Sequence, residues 1–254
     1  GGLAATTAST ILSDNFVAGG YSVLTTKEAI LDLKKKPKSR VYCINPELQD
    51  AKAMPYAIDR TDKGLSLAEM TEVLRDGARS RRGRDQGFVL AVEGGKIDWA
   101  GHANDAMANI GDTLAFDDAV GVALEFYRRY PSQTLIVVTG DHETGGMSIG
   151  HATTGYTGYY DRLLDQKMSF TAVIDSEPFK AIKAKYPKGS YTDSASNLES
   201  DSDMLALMQE AFGLDYAALN AYQKEKLEDA FDKSMGGQND NSNDENKFLY
   251  GGYE

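Results

Sequence analysis

The sequence predicts an α/β fold: a mostly parallel sheet flanked by helices, incomplete, and carrying an inserted helical and loop region. Three observations predict it. Over the first 150 residues, short apolar runs alternate with longer amphipathic stretches, the pattern of strands joined by crossover helices. Two of the runs, Phe88-Val89-Leu90-Ala91-Val92 and Leu135-Ile136-Val137-Val138, are unbroken, as expected of central strands covered on both faces. After about Gly150 the composition shifts to Gly, Tyr, Thr, Ser and Asp. Residues 151–248 therefore read as an insertion within one domain spanning 1–254.

The expected strands are Tyr21–Leu24, Arg40–Ile44, Gly87–Glu93 and Thr134–Thr139. Between them, Thr26–Lys36 is expected to be a helix, capped by Thr26 and stopped before Pro37. Ser66–Arg79 is a second, with Ser66 and Glu69 at the spacing of a capping box. Ile110–Tyr130 is a third, placing Ile110, Leu114, Val120, Leu124 and Tyr127 at roughly helical spacing before Pro131. Asp201–Phe212, closed by Gly213, and Asp215–Lys233 read as later helices. Met235–Glu245 is a polar loop, and Phe248–Tyr253 is expected to return toward the α/β core.

With 254 residues the chain can bury a sizeable core. Its 38 acids against 27 bases, a net charge of −11, argue against a nucleic-acid surface, which needs clustered Lys and Arg. The same charge is compatible with a site holding several divalent cations. No apolar run approaches the ~18 residues needed to cross a bilayer, so no membrane span is expected. Cys43, in Val41-Tyr42-Cys43-Ile44, is the single cysteine. It reads as a buried strand residue and leaves no partner for an internal disulfide.

Chemistry concentrates in two segments, each directly after a strong strand signal. Ligands of open parallel sheets collect beyond the carboxyl ends of strands, so both positions suggest a site. In Val92-Glu93-Gly94-Gly95-Lys96-Ile97-Asp98-Trp99-Ala100-Gly101-His102, one helical turn would put Asp98 and His102 on one face, where they could share a metal. Gly94 and Gly95 permit a sharp turn after the strand. In Thr139-Gly140-Asp141-His142-Glu143-Thr144-Gly145-Gly146, flanking glycines let adjacent Asp and His reach one ion. Mixed carboxylate and imidazole ligation suits zinc, and an all-oxygen shell suits magnesium. Taken singly, an Asp-His pair in a loop is ordinary turn chemistry. What stands out is that two of only three histidines follow strands beside carboxylates.

Val-Glu-Gly-Gly-Lys-Ile-Asp-x-x-x-His, followed about forty residues later by Val-Val-Thr-Gly-Asp-His, resembles the alkaline phosphatase family. So do Asp117-Asp118-Ala119-Val120 in the intervening helix and the stretch Leu65–Glu93. The convincing likeness covers about residues 20–150. It implies an alkaline-phosphatase-like fold, two zinc ions and one magnesium ion, and hydrolysis of phosphate monoesters through a phosphoserine. By the resemblance Glu93 helps hold magnesium, Asp98 and His102 bind one zinc, and Asp141 and His142 bind the other. It also suggests a homodimeric parent protein in a periplasmic or extracellular location.

The departures matter equally. The family places its nucleophilic serine, a bridging aspartate and a phosphate-binding arginine before the strand leading to Glu93, and no such pattern occurs here. A final zinc-binding histidine near the family's C-terminus also has no counterpart. The chain, opening at Gly1-Gly2, is thus expected to be an internal portion of a longer polypeptide, inactive by itself. Thr192-Asp193-Ser194-Ala195 imitates the nucleophile motif but follows the metal segments instead of preceding them. His151 reads as a loop histidine. The alternatives are another superfamily member (a phosphodiesterase, sulfatase or phosphomutase) or a non-catalytic metal-binding module.

Overall fold

The computed structural model describes residues 14–82, 87–147, 158–186 and 197–236. Ser194, His151, residues 237–245 and the segment 248–253 lie outside them. The chain divides into two compact units, Gly1–Ile97 with Ile110–His142, and Asp98–Asn109 with Glu143–Glu254.

In the first unit, β1 (Ser22–Leu24) pairs in parallel with β2 (Val41–Cys43), with Val23 opposite Tyr42. The ladder extends at both ends through Ser22 N–H to Arg40 O and Ile44 N–H to Leu24 O, each 2.9 Å. The crossover is α1 (Lys27–Leu31), which tightens into a 3₁₀ turn at Asp32–Lys34. Thr26 Oγ1 accepts from Ala29 N–H at 3.3 Å, the expected cap. Ile30, Leu33, Leu65 and Val73 form the core beneath, joined by Leu24, Val41, Cys43 and Met70. Ile30 and Leu65 are fully buried, each contributing about 1.5–3 kcal/mol by leaving water. Cys43 is half-buried, and burial pushes its thiol up.

Helix α2 (Leu67–Arg82) opens with the reciprocal bonds of a capping box. Glu69 N–H donates to Ser66 Oγ at 3.0 Å, and Ser66 N–H to Glu69 Oε2 at 2.8 Å. Further along, the buried Arg75 guanidinium donates to Val122 O at 3.1 Å and pairs with Asp76 at 2.9 Å. Helix α3 (Gly95–His102) follows, then α4 (Ala106–Arg129), which starts four residues earlier than its apolar spacing implied.

Two expectations are corrected. The runs 87–93 and 134–139 form no ladder with any strand among the described residues. Val89 is 97% exposed and Leu135 88%, while Phe88 packs its ring against Phe126, centroids 5.6 Å apart. An apolar run signals a strand only if neighbours supply hydrogen bonds and cover on both faces, and the described residues supply no ladder and only partial cover, to Phe88, Leu90 and Val92 but not to Val89. Similarly, Leu114, Leu124 and Tyr127 of α4 face solvent, and the fully covered residues of that helix are the small Ala108 and Ala119.

The described residues of the second unit are mostly helical. Its core joins α5 (Phe170–Asp175), α6 (Glu177–Ala184), α7 (Ser202–Phe212) and α8 (Ala221–Gly236) through Val173, Phe179, Ile182, Leu207, Met208 and Phe231. Gly213 closes α7 at φ +67°, the left-handed cap expected there. Asp201 caps its other end. Burial works to raise the Asp201 carboxyl, but hydrogen bonds from Tyr186 (2.6 Å), Met204 N–H and Lys185 outweigh it and hold the carboxyl low.

Candidate metal centre

The first segment folds as its spacing implied. Asp98 and His102, one turn apart on α3, bring Oδ1 and Nε2 to 3.5 Å, and His102 is half-exposed. Neither Gly94 nor Gly95 has a positive φ, so backbone freedom is not why Gly94 is there. A Cβ at 94 would meet the Phe116 ring and Ile97 Cδ1 at 3.0 Å. The glycine admits that ring against the start of α3. Glu93 lies beside the same turn: a Cβ on Gly95 would sit 3.3 Å from its Oε1.

Helix α3 ends in a tight corner. Asn104 takes the left-handed conformation at φ +53°. Asn104 N–H reaches Gly101 O at 3.1 Å and Asp105 N–H reaches Ala100 O at 3.0 Å, the paired bonds of a Schellman motif with asparagine in glycine's usual place. Asp105 then caps α4, accepting from Ala108 N–H at 3.1 Å.

In the second segment Asp141 Oδ2 lies 3.5 Å from His142 Nε2, and both side chains are exposed. The residues that follow it pack on the end of α3. A Cβ on Gly101 would fall 2.1 Å from Thr144 Oγ1, and one on Gly145 would fall 2.5 Å from Gly101 O. Two residues past His142, therefore, the chain abuts the residue just before His102. The structure brings the predicted ligands together as two pairs. No group of three or more candidate ligands is gathered among the described residues.

Behind α3 lies a charged cluster that its sequence pattern did not flag. The Lys96 ammonium sits 4.2 Å from the centroid of the Tyr56 ring. Burial pushes its pKa down, opposed by the charges of Asp50, Asp112 and Asp59. Asp112 accepts from Ala57 N–H at 3.1 Å, and burial pushes its carboxyl up to about 6. Asp112 lies two residues from Ile110 in α4, where a charge on an amphipathic helix ordinarily reads as solvent-facing. Nothing in the pattern shows that the Ala57 N–H reaches it.

The profile of one family, alkaline phosphatase, matches residues 7–240 of this sequence. The chain belongs to the alkaline phosphatase family. Alkaline phosphatase 4 of Bacillus subtilis is 34% identical over 179 residues, 69% of this chain and 36% of that protein. Streptomycin-6-phosphate phosphatase of Streptomyces griseus is 43% identical over 91 residues, 34% of this chain and 18% of that one. The crystal structure of the Thermus thermophilus alkaline phosphatase superposes with a TM-score of 0.59 at 27% identity, covering 87% of this chain and 41% of that chain. The chain thus spans well under half the length of these relatives.

Proposed function

We propose that the polypeptide to which this chain belongs hydrolyses phosphate monoesters with two zinc ions and one magnesium ion, this chain supplying part of the metal site. The observation that carries the proposal is the pair of Asp–His contacts, each at 3.5 Å, in segments that lie within the family match. Each pair offers one carboxylate oxygen and one imidazole nitrogen, a donor set that suits zinc, and two ligands fall short of its usual shell of about four. The carboxylate of Glu93 is the hard oxygen donor magnesium prefers.

In this assignment Asp98 and His102 hold one zinc, Asp141 and His142 the second, and Glu93 contributes to the magnesium. The metals supply electrostatic stabilisation of the attacking and leaving oxygens of an in-line displacement. The protein's part is orientation. Helix α3 fixes Asp98 and His102 on one face, and the 144–145 contact with Gly101 joins the second segment to the end of that helix. The serine nucleophile comes from a part of the polypeptide other than this chain. The chain alone is accordingly inactive, and the parent protein is a homodimer in a periplasmic or extracellular setting. Among the described residues no helix is long and apolar enough to cross a membrane.

The test expresses the complete reading frame around this chain and assays a chromogenic phosphate monoester, a phosphodiester and a sulfate ester at alkaline pH. The expected result is monoester turnover that falls at least ~100-fold on chelation or in His102→Ala, because groups acting as a unit fail together. Preference for the diester or the sulfate ester, or turnover indifferent to chelation, would overturn the assignment. So would robust turnover by the chain alone.

A further inference from the structure

Asp105, three residues past His102, is 8% exposed and holds more than its own helix. Its Oδ1 accepts from Ala108 N–H at 3.1 Å and from Gln166 Nε2 at 2.7 Å, and its Oδ2 accepts from Phe170 N–H at 2.7 Å. A carboxylate with three donors in so covered a place is a fixed point, since losing any one strands a buried acceptor. Gln166 is itself held, donating a second bond to Met168 O at 2.9 Å. The next residues are tied to the helical core. Lys167 N–H donates to Ala211 O at 2.8 Å, and the buried Ser169 caps α5 by accepting from Ala172 N–H at 3.1 Å.

The α3–α4 corner is therefore clasped by the segment 166–170, the entrance to the helices of the second unit. Only Ala103 and Asn104 separate the last helical residue of α3, His102, from the clasped carboxylate. Asn104 is locked by its left-handed turn and by the two Schellman bonds back to Gly101 and Ala100. The corner has little slack with which to absorb movement at Asp105.

We propose that Asp105 is a positioning residue: through its bonds to Gln166 and Phe170, the core formed by α5 to α8 sets the orientation of α3 and so of Asp98 and His102. The proposal rests on the metal assignment above only for what the oriented residues bind. The clasp itself is independent of it.

Trp99 gives a direct readout. It is the chain's only tryptophan and lies inside α3, beside Asp98. Three variants of the 254-residue chain separate positioning from mere stability. Asp105→Ser keeps a capping side chain for α4 but is too short to hold Gln166 and Phe170. Gln166→Leu leaves the cap untouched. Ile182→Val weakens the same helical core at a buried residue outside the clasp. Trp99 fluorescence anisotropy is measured for each, with far-UV circular dichroism to confirm the fold and, as a second arm, zinc affinity of the same substitutions in the polypeptide expressed from the complete reading frame.

The expected result is lower Trp99 anisotropy in Asp105→Ser and Gln166→Leu, with Ile182→Val unchanged at this probe although its Tm falls. Zinc affinity should fall about tenfold in the first two, the usual effect of losing a group that orients a ligand. Unchanged anisotropy in a folded Gln166→Leu, or an equal drop in Ile182→Val, would overturn the proposal. If Asp105→Ser fails to fold, Gln166→Leu decides. A complete polypeptide that binds no zinc, with Trp99 loosened in both clasp variants, would leave the clasp standing and remove the metal assignment instead.

Discussion

Asp112 shows how one residue's surroundings can reverse the ordinary sign of its contribution. Burial raises its carboxyl from 3.8 to about 6, against the lowering effects of the Ala57 N–H and the Lys96 charge. Below pH 3.8 the folded and unfolded chains both hold the proton, and Asp112 costs nothing. Between 3.8 and about 6 the unfolded chain releases its proton first, so stability falls as pH rises, and the loss persists above that window. Asp112→Asn keeps an acceptor for Ala57 N–H and removes the charge. It should stabilise the chain by about 1 kcal/mol at pH 8, after discounting for partial solvent screening, and by nothing at pH 3.5. Urea unfolding at the two pH values checks this. A destabilised variant at pH 8 would mean that attraction between Asp112 and Lys96 outweighs the burial.

At the scale of elements, the contact between α3 and the 144–145 segment opposes intrinsic propensity. Alanine in place of a helical glycine ordinarily gains about 1 kcal/mol. At position 101 its Cβ would fall 2.1 Å from Thr144 Oγ1, and overpacking of that kind costs about 1–3 kcal/mol. Gly101→Ala should therefore be a net destabiliser by up to about 2 kcal/mol, and Thr144→Ala in the same chain should recover part of the loss; thermal melts of the double-mutant cycle measure both. Melting of Gly101→Ala above wild type, the gain that propensity alone gives, would show that the two segments do not touch. The elements legible in the sequence were those written in local bonds: the Ser66–Glu69 box, the Thr26 cap, the Gly213 stop and the four-residue spacing of Asp98 and His102. The α3–α4 corner was not legible, because Asn104 stands where glycine usually signals the turn. Helices α5 and α6 were also missed. They are short, and their caps, Ser169 and Ser176, lie in a stretch whose serines and threonines read equally well as loop.

At the scale of the whole molecule, the two unbroken apolar runs were the strongest sequence signals and gave the largest departure. A run's composition reports what it needs, and its surroundings decide whether the need is met. Val137 and Val138 are exposed along with Val89 and Leu135, in a chain that spans 41% of the Thermus enzyme it resembles. Family membership was legible from the two motifs at their spacing. The packing of Tyr56 over Lys96 was not, since forty residues separate them. The central claim, that the two Asp–His pairs are zinc ligands, is tested most directly by zinc stoichiometry. Equilibrium dialysis with metal analysis is run on the polypeptide expressed from the complete reading frame, on its His102→Ala and on its His142→Ala. The account predicts two zinc ions on the unsubstituted polypeptide and one on each variant, with the fold intact by circular dichroism. An unchanged stoichiometry in both variants, or no zinc retained by the unsubstituted polypeptide, would contradict it.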